Sequence, residues 1–181
     1  VRVGEQELLT GGRAPAMSHS EFRVEYAHGA VTEAYDVRTE GLEQTFVFAQ
    51  RPAANGDLCI TGALRSGLVA PRTAPAVTDL VFSDENGMPI LRYGRAVAID
   101  VHGDSFPMTT SYLDGRITLR LAAADLARAA FPLVVDPLLA VNYTSQLGNA
   151  VALGDLDAKS YGSGSITATV CYTRHFSALD S

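Results

Sequence analysis

Hydrophobic and polar residues alternate with a period of two along most of this chain, and turn-forming residues interrupt the alternation at short intervals. Phe22, Val24 and Tyr26 fall on one face of Glu21–Tyr26, with Glu21, Arg23 and Glu25 on the other, which predicts a half-buried strand. Val31–Val37 repeats the pattern with Val31, Glu33, Tyr35 and Val37 sharing a face. Leu42–Gln50 sets Phe46 and Phe48 opposite Thr45 and Val47, and Arg51-Pro52 ends it, because proline cannot donate to a central ladder. Strands are also predicted at Val1–Leu9, Asp57–Leu64, Val77–Ser83, Pro89–Tyr93, Arg95–Val101, Phe106–Leu113 and Arg116–Leu121. Ala96, Ala98 and Asp100 share one face of Arg95–Val101, and Ile117, Leu119 and Leu121 point inward from the last strand.

Turns are predicted at Ala27-His28-Gly29, Glu40-Gly41, Asp84-Glu85-Asn86-Gly87, His102-Gly103-Asp104 and Asp114-Gly115. Asn55-Gly56 is a preferred dipeptide of two-residue type I′ hairpins, so the strand ending near Gln50 is expected to pair antiparallel with Asp57–Leu64. Residues 66–76 read as an exposed Pro/Ala loop. Turn signals at strand-length spacing over about 100 residues predict an all-β fold, an antiparallel sandwich or barrel-like sheet.

Residues 122–130 are the exception. Their alanine-rich composition predicts a short helix with Leu126 and Ala129 or Ala130 inward and an outward Asp125–Arg128 pair. Pro132 stops the helix at or before Phe131. Leu133-Val134-Val135 lacks alternation, which predicts burial on both faces, and Asp136-Pro137 ends it. Pro132, Asp136 and Pro137 are therefore the expected structural residues, with the Asp136 carboxylate accepting backbone N–H bonds and locking the domain's exit. Beyond Pro137, Leu138–Tyr143 reads as a strand, residues 146–164 are rich in Gly, Asp and Ser, and Ser165–Thr173 alternates again. The expected organisation is a β-rich domain over 1–137 and the truncated beginning of a second β module over 138–181.

Composition narrows the function classes. A chain of 181 residues with 47% hydrophobic and 19% charged content suits a globular domain with a substantial core. The balance of 14 Lys+Arg against 20 Asp+Glu, net −6, argues against nucleic acid as a partner, because phosphate binding needs a positive footprint. No apolar run approaches a membrane span, and no signal-peptide pattern stands at the start of the sequence. Cys59 and Cys171 are too few for a disulfide framework, leaving two buried thiols or one bridge open.

Asp155 and Asp157 begin like a calcium loop, but Lys159 takes the next ligand position and repels a cation, so an ordinary Asp-rich turn is favoured. Gly162-Ser163-Gly164-Ser165 lacks both the Lys-Ser/Thr of a phosphate loop and the strand-to-helix setting of a nucleophile elbow. His19, His28, His102 and His175 have no metal-ligand spacing, and the Asp84/Glu85 pair sits at a turn tip. Asn142-Tyr143-Thr144 matches a glycosylation sequon. No catalytic, metal or cofactor residue is assigned, and no cofactor is expected.

Several segments occur in a suggestive order: Tyr35-Asp36-Val37-Arg38, Gly41–Phe46, Arg51-Pro52, Tyr93-Gly94, Ala98–Gly103 and Phe131–Pro137. Together they resemble the β-rich N-terminal domain of large secreted or surface-anchored bacterial proteins, which a YP-hydrophobic-IDP element closes ahead of propeller-type or other β-repeats. The resemblance covers about 20–140, and Val170–Ser181 resembles the first strand of such a repeat. It implies a non-enzymatic, extracellular structural or adhesion module that caps a longer repeat protein. Its expected partners are the following β-repeat segment and a surface glycan or protein. The alternatives are a secreted hydrolase or carbohydrate-binding domain, with a cleft between Asp-bearing loops, and a pro-segment released near Asp136-Pro137.

Overall fold

The computed structural model describes residues 1–9, 14–38, 41–71, 79–141, 157–161 and 165–169. In chain order the elements begin with β1 (Arg2–Val3), β2 (Gln6–Glu7), β3 (Ala16–Ser20), β4 (Arg23–Ala27), β5 (Val31–Arg38), β6 (Gly41–Phe48) and β7 (Leu58–Ala63). They continue with β8 (Leu80–Ser83), β9 (Pro89–Tyr93), β10 (Val97–Ile99), β11 (Ser105–Pro107), β12 (Thr109–Leu113) and β13 (Arg116–Leu121). Helix α1 (Ala123–Arg128), β14 (Leu133–Asp136), β15 (Leu138–Val141) and the hairpin β16 (Asp157–Tyr161)–β17 (Ser165–Thr169) complete the set.

The fold is all-β and antiparallel, with one short helix. A five-stranded sheet runs β12-β13-β7-β1-β2. The larger, ten-stranded sheet runs β3-β4-β5-β6, and β6 then pairs with both β14 and β15. On their far side, β14 pairs with β10 and so leads to β11, while β15 pairs with β9 and so leads to β8. The two sheets share one core. Val3, Leu58, Ile60, Ile117, Leu119 and Leu121 enter it from the smaller sheet, and Val31, Phe46, Phe48, Phe82, Leu133 and Val135 from the larger. Of these, Val31, Phe46, Phe48, Ile117, Leu119 and Leu121 lie on the faces that the period-two runs assign them.

Two expected hairpins have opposite outcomes. Asp114-Gly115 joins β12 to β13 with positive φ at both residues, 48° and 74°, as a type I′ turn requires. Asn55-Gly56 does not join β6 to β7. Asn55 lacks a positive φ, β7 pairs with β1 and β13, and residues 49–57 carry the chain from one sheet to the other. Gly56 serves a different need there: a Cβ on it would lie 2.7 Å from the Cα of Gly4. The expected single strand Phe106–Leu113 is likewise divided. β11 stays with β10 in the larger sheet, the fully buried Met108 makes the corner, and β12 joins the smaller sheet.

The closing segment departs from its expected burial. Leu133 and Val135 are buried but Val134 and Asp136 are only half-buried, so β14 alternates like its neighbours. Pro137 stands inside a continuous pairing register. Val135 faces Phe46 and Leu138 faces Glu43, three positions further along each strand, so the register against β6 runs straight through the proline. The lost donor falls where the other neighbour changes from β10 to β9. Strand β15 thus continues the larger sheet through Val141. The Phe131–Pro132 bond is cis.

Candidate functional site

The alternation of β5 puts Glu33 on the same face as Val31 and Tyr35, and so places a carboxyl group, 1% exposed, against the core. Oε1 of Glu33 accepts the Tyr35 hydroxyl at 2.6 Å and Nε2 of Gln44 at 2.8 Å. The Gln44 amide also donates to the Tyr35 oxygen at 3.0 Å, and the Tyr93 hydroxyl donates to Oε1 of Gln44 at 3.3 Å. Oε2 of Glu33 lies 3.6 Å from Nε2 of His28, and neither atom has a hydrogen-bond partner among the described residues. Burial pushes the Glu33 carboxyl above its ordinary range, opposed by the bonds from Tyr35 and Gln44 and by His28. Burial, then the nearby Glu33 charge, also pushes the Tyr35 and Tyr93 phenols upward.

A carboxyl whose affinity for its proton is raised by burial, beside an imidazole, is the raw material of acid–base chemistry. Here it is enclosed in the sheet interior, bonded to Tyr35 and Gln44.

A second group of side chains fixes helix α1. Ala122, at the helix start, offers no side-chain cap, and Oδ1 of Asp57 accepts the Ala123 N–H instead, at 2.8 Å. The Arg120 guanidinium holds Oδ2 of Asp57 at 2.7 Å, and the bond from Ala123 is the main cause that lowers the Asp57 carboxyl. At the other end Arg51 donates to the carbonyls of Leu126 at 2.6 Å and Ala129 at 2.5 Å, and lies over the Phe131 ring. Oδ1 of Asp100 accepts the N–H groups of His102 and Asp104, and Oδ2 accepts that of Ala130 at 2.9 Å. The bond from Ala130 is the largest cause that holds the Asp100 carboxyl low.

That is the role expected of Asp136. Oδ1 of Asp136 is buried without a hydrogen-bond partner among the described residues, and burial, then the Glu43 charge, pushes its carboxyl up. The latch on this part of the fold is Asp100. Its signal was its place beside Ala96 and Ala98 on the buried face, two residues before the His102-Gly103-Asp104 turn.

The third feature is an apolar area on the inner face of the larger sheet. Tyr26, Tyr35 and Leu42, with Val24 against them, form a cluster separate from the main core, and the two tyrosine rings meet edge-on at 6.3 Å. Around it Met17, Phe22 and Val37 are 62%, 61% and 43% exposed. Val37 donates its N–H to the Phe22 carbonyl and pairs with Leu42, which in turn pairs with Leu139. Val141, where the described body ends, is two residues beyond that row. The opposite face is polar: Arg23 pairs with Asp36 and Glu25, and Arg38 with Glu43.

His19, His28 and His102 stand on β3, in the β4–β5 turn and in the β10–β11 turn, and no group of three or more His, Cys, Asp or Glu suited to a metal occurs among the described residues. Asp84 is used within its own turn, where Oδ1 accepts the N–H groups of Asn86 and Met88. Asp157 begins strand β16, while Asp155, Asn142, the Gly162–Gly164 stretch, Cys171 and His175 lie outside the described residues. Cys59 is a buried thiol on β7. No described helix is long and apolar enough to cross a membrane. Comparison of the chain with protein-family models, curated proteins and solved structures finds no match.

Proposed function

We propose that this chain is a non-enzymatic, extracellular structural or adhesion module that caps a longer β-repeat protein, and that its partner is the β-segment following in the same chain. The observation that supports this reading is the open apolar area of Met17, Phe22 and Val37 on the inner face of the larger sheet. Contiguous exposed apolar surface around an already packed cluster marks an interaction face. Strand β15 ends at Val141, two residues beyond the Val37–Leu42–Leu139 row, so a segment continuing from it would start next to the face it would cover. Extracellular placement rests on the resemblance carried by Tyr35–Arg38, Ala98–Gly103 and Phe131–Pro137.

Methionine oxidation footprinting of the complete natural chain tests the reading, because the molecule contains its own reference. Met17 lies in the apolar area and Met88, 54% exposed, lies outside it, just after the β8–β9 turn. If the following segment covers the area, Met17 oxidises several-fold more slowly than Met88. Equal rates in the complete chain refute the docking.

A further inference from the structure

His28 and Glu33 present two buried polar atoms to each other, Nε2 and Oε2, at 3.6 Å and without partners among the described residues. Leaving such atoms unpaired in the interior costs free energy, and at this distance a small side-chain movement would join them. Joining them takes a proton on the line between the two atoms. A carboxylate oxygen and an unprotonated imidazole nitrogen are both acceptors and cannot bond, whereas one proton between them makes a donor and an acceptor. The other carboxyl oxygen is already occupied by Tyr35 and Gln44, so Oε2 is the one left to respond.

The surroundings are consistent with a proton held in this place. Tyr35 on β5 and Gln44 on β6 donate to Glu33, Tyr93 on β9 supports Gln44, and Tyr26 on β4 is the cross-strand neighbour of Glu33. The amino group of Val1 also acts on Glu33 electrostatically. His28 is tied to the turn it would control, since its backbone N–H donates to the Val31 carbonyl at 2.8 Å and closes the link between β4 and β5.

We propose that His28 and Glu33 form a proton-operated latch on the β4–β5 turn. Uptake of one proton from solvent by the pair closes Nε2 and Oε2 into a charge-assisted hydrogen bond and pins the turn to the core; release of that proton leaves the pair open at 3.6 Å.

Amide hydrogen exchange of His28 by NMR, corrected for intrinsic rates and compared with Leu119 as a core reference, tests the latch between pH 8 and pH 5.5. The wild type is expected to gain about tenfold protection at His28 on acidification, the scale of one charge-assisted bond. His28→Gln and Glu33→Gln remove that gain. Ring nitrogen and carboxyl carbon shifts of the wild type give a reading that needs no variant: His28 and Glu33 change together in one transition. Unchanged protection at His28, or two unrelated transitions, overturns the proposal.

Discussion

The Asp57 carboxylate caps helix α1 from 66 residues away, accepting the Ala123 N–H at 2.8 Å where the chain's own helix start is an alanine. A six-residue helix is too short to hold itself together in water, so it depends on such tertiary bonds. Asp57→Ala removes the cap and leaves Arg120 without its partner. Loss of a cap costs about 1 kcal/mol. Urea unfolding of the variant should show that loss, and Asp57→Asn should recover most of it, since asparagine caps as well as aspartate. If Asp57→Ala unfolds at the wild-type midpoint, the long-range cap is not stabilising.

Arg51 performs the matching task at the other end. Its guanidinium reaches two carbonyls at once, those of Leu126 and Ala129, and covers the Phe131 ring. Lysine has a single ammonium in place of the planar fork, so Arg51→Lys is not conservative here. We expect Arg51→Lys to lose about 1 kcal/mol and Arg51→Ala about 2 kcal/mol in urea unfolding. Because both anchors hold one helix, the double variant with Asp57→Ala should cost less than the sum of the singles. Strict additivity would show that the helix is not a common intermediary.

Stability should peak on the acid side of neutral. Burial raises the Glu33 and Asp136 carboxyls above their ordinary 4.5 and 3.8, so their contribution is full below those values and is lost as pH rises through the folded values. Asp57 and Asp100 are held below 3.8, so theirs is present above that value and is lost as pH falls through the lowered ones. The two groups together place the maximum between about pH 4 and 5. Glu33→Gln removes the cost of burying a charge and should stabilise the fold at pH 7 by about 1 kcal/mol. It should also flatten the decline toward neutral. The urea midpoint followed from pH 3 to pH 9 measures both effects, and a wild-type maximum at pH 7 or above would contradict the assignment.

Much of this fold is legible in the sequence because period two reports burial directly. Phe46 and Phe48, Ile117, Leu119 and Leu121, and even Glu33 all face where the alternation places them. What alternation cannot report is which strand lies alongside which. Asn55-Gly56 and Asp114-Gly115 are equivalent as local signals, yet one lies in a segment that passes between two sheets, close against Gly4, and the other closes a hairpin. The polar sites follow the same rule. Asp136 stands next to a proline, but a carboxylate becomes a latch only when N–H groups converge on it. The three that do so converge on Asp100, one of them from 30 residues away.

The continuity of register through Pro137 leads to a last prediction, about where the body ends. β15 is the only link in the described sheet between β6 and the β9–β8 hairpin, since β9 pairs with β15 on one side and β8 on the other. Removing it would leave that hairpin without its strand neighbour and expose the Gly41–Glu43 end of β6 as an unpaired edge, a known route to aggregation. A chain ending at Pro137 should therefore unfold at lower urea than one ending at Val141, by about 2 kcal/mol or more, with earlier loss of protection at Leu91 and Tyr93. Cleavage at Asp136-Pro137 in an otherwise intact chain should, by contrast, leave Leu138–Val141 bound, because the ladders to β6 and β9 survive the cut. If the two truncated chains unfold together, β15 is not integral to the sheet, and the domain does close at Pro137.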